Sequence, residues 1–553
     1  MSIFSKIQVK KPKFSTFNLS CQRKMSLQMG LLVPIHVQEV LPSDKFTMST
    51  SQLLRFAPMI APVMHEVNVY VHHWFVPNRI LWKHWSEFIT GGENGLDASL
   101  LPVVVNLEVE KGSLADYLGL PVTANDGLIT EPISLLPFLA YQMIYNENYR
   151  DQNLIESLKD MLESVEDGEI DYQTLLQDGD LNYPDNIPSD SLLQLFVLRR
   201  RAWEHDYFTS CLPFAQKGNP VRIPLSPSLP VTWNDNVPDQ VRSLQGENGQ
   251  LTLTGADDVS VTPSGIIPNG RAISIDNSAN LSVDTQANAT TINDWRRAIR
   301  LQEWLEKNAR AGARLVESIE VHFGVKSPDS RLQRPEFLGG GKSPVMVSEV
   351  LQTSETQDTP QANMAGHGIN LGSNASFSRF FQEHGYIISI MSVMPRTAYQ
   401  QGIPRHFSKL DKFDYFWRDF QHIGEQPVYN KELYYAGGYE GVDGDSTPNG
   451  VFGYIPRYSE YRFNSNTVHG DMKAELDYWH MGRIFVDSAG NNPPEEAIDG
   501  HVVEPKLNKD FIECNPTRRI FAVEDLYEDI LYCQIFHNIT ARRPMSYFGS
   551  PML

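Results

Sequence analysis

The sequence predicts a mainly β fold of many short strands joined by long loops, and three observations carry that reading. Thirty-five prolines and 37 glycines are spread along the 553 residues, which argues against long regular helices. Apolar residues fall in short runs rich in Val, Ile, Tyr and Trp and bounded by proline, as in buried strands. Hydrophobic residues at 41% and aromatics at 10% supply a large core, so the chain is globular. About three or four average domains would fit this length, but β-rich folds often run long as one unit.

Residues 1–38 carry Lys6, Lys10, Lys11, Lys13, Arg23 and Lys24 with no acid, and read as a basic arm leading into the first strand. Such an arm either neutralises phosphates or is a solvated tail. It has no apolar core segment or small-residue cleavage site, so it does not read as a secretory signal. No run of about 18 uncharged apolar residues follows, so no membrane insertion is expected. The net charge of −20 is unevenly placed, since acids crowd 147–190 against only Arg150 and Lys159.

Strands are predicted over Leu27–Val40 and His65–Val76, the second with Val67, Val69 and Val71 on one core-facing side. Pro58 and Pro62 belong in its approach loop. These open a first part, 39–224, interrupted by an acidic insertion at 155–190 that begins as an amphipathic helix and reads as exposed. Residues 191–214 return to an apolar helical pattern. From 225 to 291 Trp233 is the only aromatic, and LTLTGADDVSVTP reads as a hairpin polar on both faces. That segment is a surface insertion or a linker, not core. Thr291–Ile319 is the clearest helix, with Thr291 and Asp294 able to form a capping box and Gly312 placed to end or kink it. The remainder, 292–553, alternates strands and loops and closes with a strand at 530–540 followed by Arg542 and Arg543.

Catalytic and ligand motifs do not survive inspection. GGGKS at 339–343 lacks the earlier glycine of a phosphate loop, and Pro344 blocks the helix that must follow. Strand alternation puts His72 opposite His65 and His73, so these are ordinary sheet histidines rather than metal ligands. The four cysteines are far apart, giving no disulfide framework or zinc spacing. No cofactor is implied. The stretch 391–429 sets Arg396, Tyr399, Arg405, Phe407, Phe416 and Trp417 on an irregular backbone. It reads as a contact surface or as an aromatic core segment beneath a loop.

Several long motifs carry a family resemblance. PRTAYQQGIPRHF with IGEQPVY, NLSCQRKMSLQMGLLVPIHVQEVLPSDKF, RFAPMIAPVMHEVNVYVHHWFVPNRILW, YNENYRDQN, FGYIPRYSEYRFNSNTVHGDM and FIECNPTRRIFAV run in order along the chain. Together they resemble the major capsid proteins of the Microviridae, single-stranded DNA bacteriophages, and their gokushovirus branch in particular. The resemblance implies an eight-stranded antiparallel jelly roll with long loop and helical insertions. It implies 60 copies in a T=1 icosahedral shell around circular single-stranded DNA, assembled in the bacterial host cytoplasm. The 225–291 insertion would form a threefold protrusion for contact with a host surface receptor. Partners would include a small basic internal DNA-binding protein and a pilot-type minor protein.

On that reading Lys6, Lys10, Lys11, Lys13, Arg23, Lys24, Arg542 and Arg543 line the DNA, with Phe14 and Phe17 stacking on bases. Arg396, Tyr399, Arg405, Phe407, Phe416, Trp417, Arg457 and Tyr458 make subunit contacts. The alternative is a soluble jelly-roll carbohydrate-binding protein or glycosidase, which requires a groove holding two close carboxylates.

Overall fold

The computed structural model describes residues 14–547 except 94–95, 124–126, 166, 178–186, 189–190, 220, 222–230, 234–243, 247–248, 252–265, 268–270, 276–280, 284–291, 312–313, 352, 354–363, 436–446, 486–505 and 524–527. Lys6, Lys10, Lys11, Lys13, Thr291, Gly312 and the GADD turn lie outside the described residues. The chain divides into two compact units, 1–215 with 309–553, and 216–308.

Ten strands build two facing antiparallel sheets in the first unit. They are β1 (Ser15–Asn18), β2 (Cys21–Leu27), β3 (Val33–Val40), β4 (Lys45–Phe56), β5 (Val67–Pro77), β6 (Glu336–Pro344), β7 (Met346–Leu351), β8 (Met364–Phe380), β9 (Gly385–Pro395) and β10 (Leu531–Arg543). One sheet runs β1-β10-β4-β8-β7, with β2 also on β10, and the other runs β6-β5-β9-β3. The fold is therefore mainly β and antiparallel, and among the described residues the sheets do not close into a barrel. Leu54, Leu531 and Ile535 from the first sheet pack against Val33, Val69 and Met391 from the second. Burial of such side chains is the main stabilising term, at about 1.5–3 kcal/mol each.

Alternation decides the first sheet. In KFTMSTSQLLRF and LYCQIFHNITARR every second residue is buried, so one face of β4 and β10 meets the core and the other meets solvent. The second sheet differs from the sequence reading. β5 was expected to have one face on a core, yet Trp74, Phe75 and Val76 are all buried. Helix α1 (Leu136–Asn148) and the chain around it cover the outer face, joining Trp74, Ile388 and Ile390 in one cluster. Tyr141 donates to the Leu32 carbonyl at 2.8 Å and fixes that cover.

The insertion at 155–190 is also less exposed than predicted. Among the described residues two short helices, Lys159–Glu163 and Tyr172–Gln177, lie in it, and Leu158, Met161, Val165 and Tyr172 are buried. Residues 191–214 do not continue a helix: Leu192–Phe196 is a single 3₁₀ segment. The predicted helix is two, α2 (Ile292–Ala311) and α3 (Leu315–Phe323). GGGK lies within β6, paired to β5 with Gly340 opposite His72 and Lys342 opposite Tyr70, so it is strand and not a phosphate loop. The second unit, taken alone, contains short antiparallel ladders. Val231–Trp233 pairs with Leu281–Val283, and Leu244–Gly246 pairs with Gly249–Leu251 and Arg271–Ile275.

Candidate nucleic-acid interface and contact surface

The first sheet keeps its outer face bare. Along β10, Tyr532, Gln534, Phe536, Asn538, Thr540 and Arg542 are exposed, next to Lys45, Thr47 and Arg55 of β4. Lys45 lies opposite Arg542 and Arg55 opposite Tyr532, while Lys24 of β2 lies opposite Gln534. Phe380, also exposed, ends β8 opposite Lys45.

Five strands, β1, β2, β4, β8 and β10, contain no Asp or Glu. At the chain's overall frequency, 67 acids in 553 residues, about six would fall there. Among the described residues Lys24, Lys45, Arg55 and Arg542 have no carboxylate within ion-pair distance. A face of cations, hydroxyls and amides with exposed aromatic rings fits a phosphate backbone carrying unstacked bases.

The DNA-contact candidates behave differently from one another. Arg542 is exposed and stands 4.9 Å above the Phe14 ring. Phe17 stacks flat on Tyr547 at 5.7 Å, which occupies one of its faces. Lys24 is exposed, whereas Arg23 is half-buried and donates to the Tyr117 carbonyl at 3.3 Å. Arg543 is bound internally, 3.3 Å from Asp44 and 2.8 Å from the Glu39 carbonyl, so it is a structural tie rather than part of the open face. Lys45, Arg55, Tyr532 and Phe536 were missed. Their signal was the alternation in β4 and β10, which places uncharged polar, basic and aromatic residues on one side.

The 403–423 segment forms a second surface. Three 3₁₀ turns, Arg405–Ser408, Lys412–Asp414 and Arg418–Phe420, hold it. The Trp417 indole donates to the Lys412 carbonyl at 2.8 Å, and the Lys409 ammonium lies 3.9 Å from the Tyr461 ring centroid. Its side chains nevertheless point outward: Phe407 is 71% exposed, Leu410 93%, and Phe416 and Trp417 49% each. A fixed backbone with bare apolar tips is pre-organised for contact.

Not every expected contact residue is there. Tyr399 and Tyr458 are buried within the chain, Tyr399 donating to Asp206 at 2.7 Å and Tyr458 taking a left-handed φ of 65°. Both were assigned to the surface because aromatic composition alone cannot separate outward from inward rings. Arg405 is tied to Glu432 at 3.0 Å, and Arg396 lies 3.5 Å from both Glu66 and Glu204. Arg457, half-buried, reaches the Phe413 carbonyl at 3.4 Å.

Behind this segment is a cavity of about 660 Å³ lined in part by Tyr207, Tyr399, Glu432 and Glu460. Both carboxylates are engaged: Glu432 with Arg405, and Glu460 with Lys409 at 3.0 Å. Burial pushes Glu432 up while Arg405 opposes it. Neither is placed as a free acid–base pair for glycoside cleavage. The sheet histidines are likewise engaged, His72 with the Tyr149 hydroxyl and His73 with Ser389 at 2.7 Å each, and His65 with the Arg396 carbonyl at 2.6 Å. Among the described residues no cluster could hold a metal ion, and no helix is long and apolar enough to cross a membrane.

An antiparallel sandwich whose open sheet face and aromatic loop face outward defines an assembly protein. Comparison with known sequences gives the particular family. The model of the phage capsid protein family described as "Capsid protein (F protein)" matches residues 5–553, and the chain belongs to that family. Capsid protein VP1 of Chlamydia phage 1 is 34% identical over 611 aligned residues, covering 100% of this chain and 97% of that protein. The VP1 of Bdellovibrio phage phiMH2K is 34% identical, covering 97% and 95%, and that of Spiroplasma virus 4 is 30% identical, covering 96% and 93%. The protein is a gokushovirus-like major capsid protein, a structural component of the virion and not an enzyme.

Proposed function

We propose that this capsid protein closes a 60-subunit T=1 shell around circular single-stranded DNA, with the open face of the first sheet against the genome. The sandwich then corresponds to the jelly roll, with β1 and β2 as additional edge pairings on β10. The observation that carries the reading is the acid-free face, in a chain of net charge −20, bearing Arg55, Lys45, Arg542 and Lys24 among exposed rings. The basic arm, Lys6 to Lys13, adds phosphate contacts, and a small basic internal protein and a pilot-type minor protein share the interior. The 403–423 surface seals subunits together.

Replacing Lys24, Lys45, Arg55 and Arg542 with glutamine should weaken binding of the purified chain to circular single-stranded DNA. The plot of log affinity against log salt should become shallower by about 3, because each lost phosphate contact removes about 0.7 from the slope. An unchanged slope sinks the assignment of this face.

The segment 225–291 forms the surface protrusion that meets the host receptor. Its polar composition and its place in a separate compact unit support this. Deleting Gly246–Asp284 should leave shells that assemble but lack surface projections in electron micrographs and fail to adsorb. A chain that no longer folds would make the segment part of the core.

A further inference from the structure

Two buried arginines stand around a small cavity without enough acceptors to satisfy them. Arg483 is 8% exposed. Its guanidinium lies 4.1 Å from the Phe511 ring centroid and 5.2 Å from those of Trp203 and Phe485, and donates to the Phe511 carbonyl at 2.8 Å. Tyr399 lies beside it, and its hydroxyl, while donating to Asp206, also accepts a hydrogen bond from the Arg483 guanidinium.

The Arg519 side chain is 3% exposed. Its Nε donates to the Asp477 carbonyl at 2.9 Å and its Nη2 to the Gly482 carbonyl at 3.0 Å. In both residues Nη1 is buried with no hydrogen-bond partner. Burial lowers Arg519 to about 10, with only Asp477, 3.6 Å away, acting against it. An unmet buried guanidinium donor carries a large desolvation cost.

Both arginines line one cavity of about 30 Å³, together with Thr517 and Asn515. That is room for a guest of about one water's size and too little for a phosphate ester. Asp510 and Glu513 also border it, and among the described residues neither forms a salt bridge with Arg483 or Arg519. Burial raises Glu513, which favours its neutral form and lessens its repulsion of an anion.

We infer that this cavity binds one small monovalent anion, of the halide class, between Arg483 and Arg519. The anion supplies the missing acceptor and neutralises charge where the 480–485 and 511–519 segments meet. It is a structural ion of the subunit, independent of the genome-facing surface.

The test uses the purified full chain at constant ionic strength, with gluconate exchanged for chloride. Melting temperature should rise by about a few degrees and saturate with chloride concentration, as linkage to a single site requires. Arg519→Gln should abolish the dependence, while Lys326→Gln, at an exposed position with no part in either site, should retain it. Crystals grown in bromide should show one anomalous peak in this cavity, a result that does not depend on any variant folding. Identical melting curves in chloride and gluconate, or ordered water in the cavity with no bromide signal, would overturn the inference.

Discussion

Moving the purified chain from pH 7.5 to pH 5 is expected to remove about 6 kcal/mol of stability through three buried histidines, about 2 kcal/mol from each. His36 of β3, His73 of β5 and His537 of β10 meet between the two sheets, and the His36 and His537 ring centroids are 4.8 Å apart. His537 is held by Thr50 at 3.0 Å and the Ile35 carbonyl at 3.2 Å, and His73 by Ser389. The Nε2 atoms of His36 and His73 are buried without a partner. Cys21 lies 3.9 Å from His36, and Arg23 of β2 adds repulsion against protonation.

Burial first, and then His537, hold His36 and His73 at about 3, while burial with Arg23 holds His537 at about 4. The folded values lie below the ordinary 6.5, so the unfolded chain binds more protons between them. The stability is fully present above pH 6.5 and declines as pH falls toward 3–4. His65 and His72, both held at about 4, add to the slope. The comparison is therefore made with the double variant His36→Leu, His73→Leu. Denaturant melts should show its stability-against-pH slope shallower by two protons, about 2.7 kcal/mol per pH unit, whatever the change at neutral pH. Parallel slopes would mean that these rings do not titrate with unfolding.

The second large effect concerns assembly. Phe407→Ser together with Leu410→Ser should abolish shell formation while shifting the stability of the isolated subunit by no more than about 0.5 kcal/mol, because both side chains are exposed. Loss of two apolar anchors should cost about 2–4 kcal/mol at each subunit contact, and every subunit of a closed shell repeats that contact. Sedimentation would show subunits where the parent chain gives particles. Normal particles at the parent's critical concentration would remove this loop from the interface.

How far these sites were legible differs from residue to residue. Arg542 and Lys24 were visible as cations and are exposed; Arg543, one position along, has the same chemistry but turns to Asp44. Alternation separates the two faces of a strand, yet a side chain at a strand end can leave the pattern for a nearby carboxylate. Phe407 and Tyr399 come from one aromatic stretch, and only Phe407 is exposed. Composition marks a ring as valuable to bury, and the partner that buries it is set elsewhere in the chain.

The sequence by itself determined the β-rich class, the family and the acid-free strands, since periodicity, proline placement and charge are properties of local runs. It also excluded a phosphate loop, because Glu336 stands where that motif needs its first glycine. Only the tertiary structure decided which sheet face is bare and which lies beneath α1, because the cover comes from residues far from the strands. It likewise brought His36, His73 and His537 together, and Arg483 with Arg519 around one cavity. Such encounters depend on how the two sheets and their loops pack, and no local period in the chain encodes that.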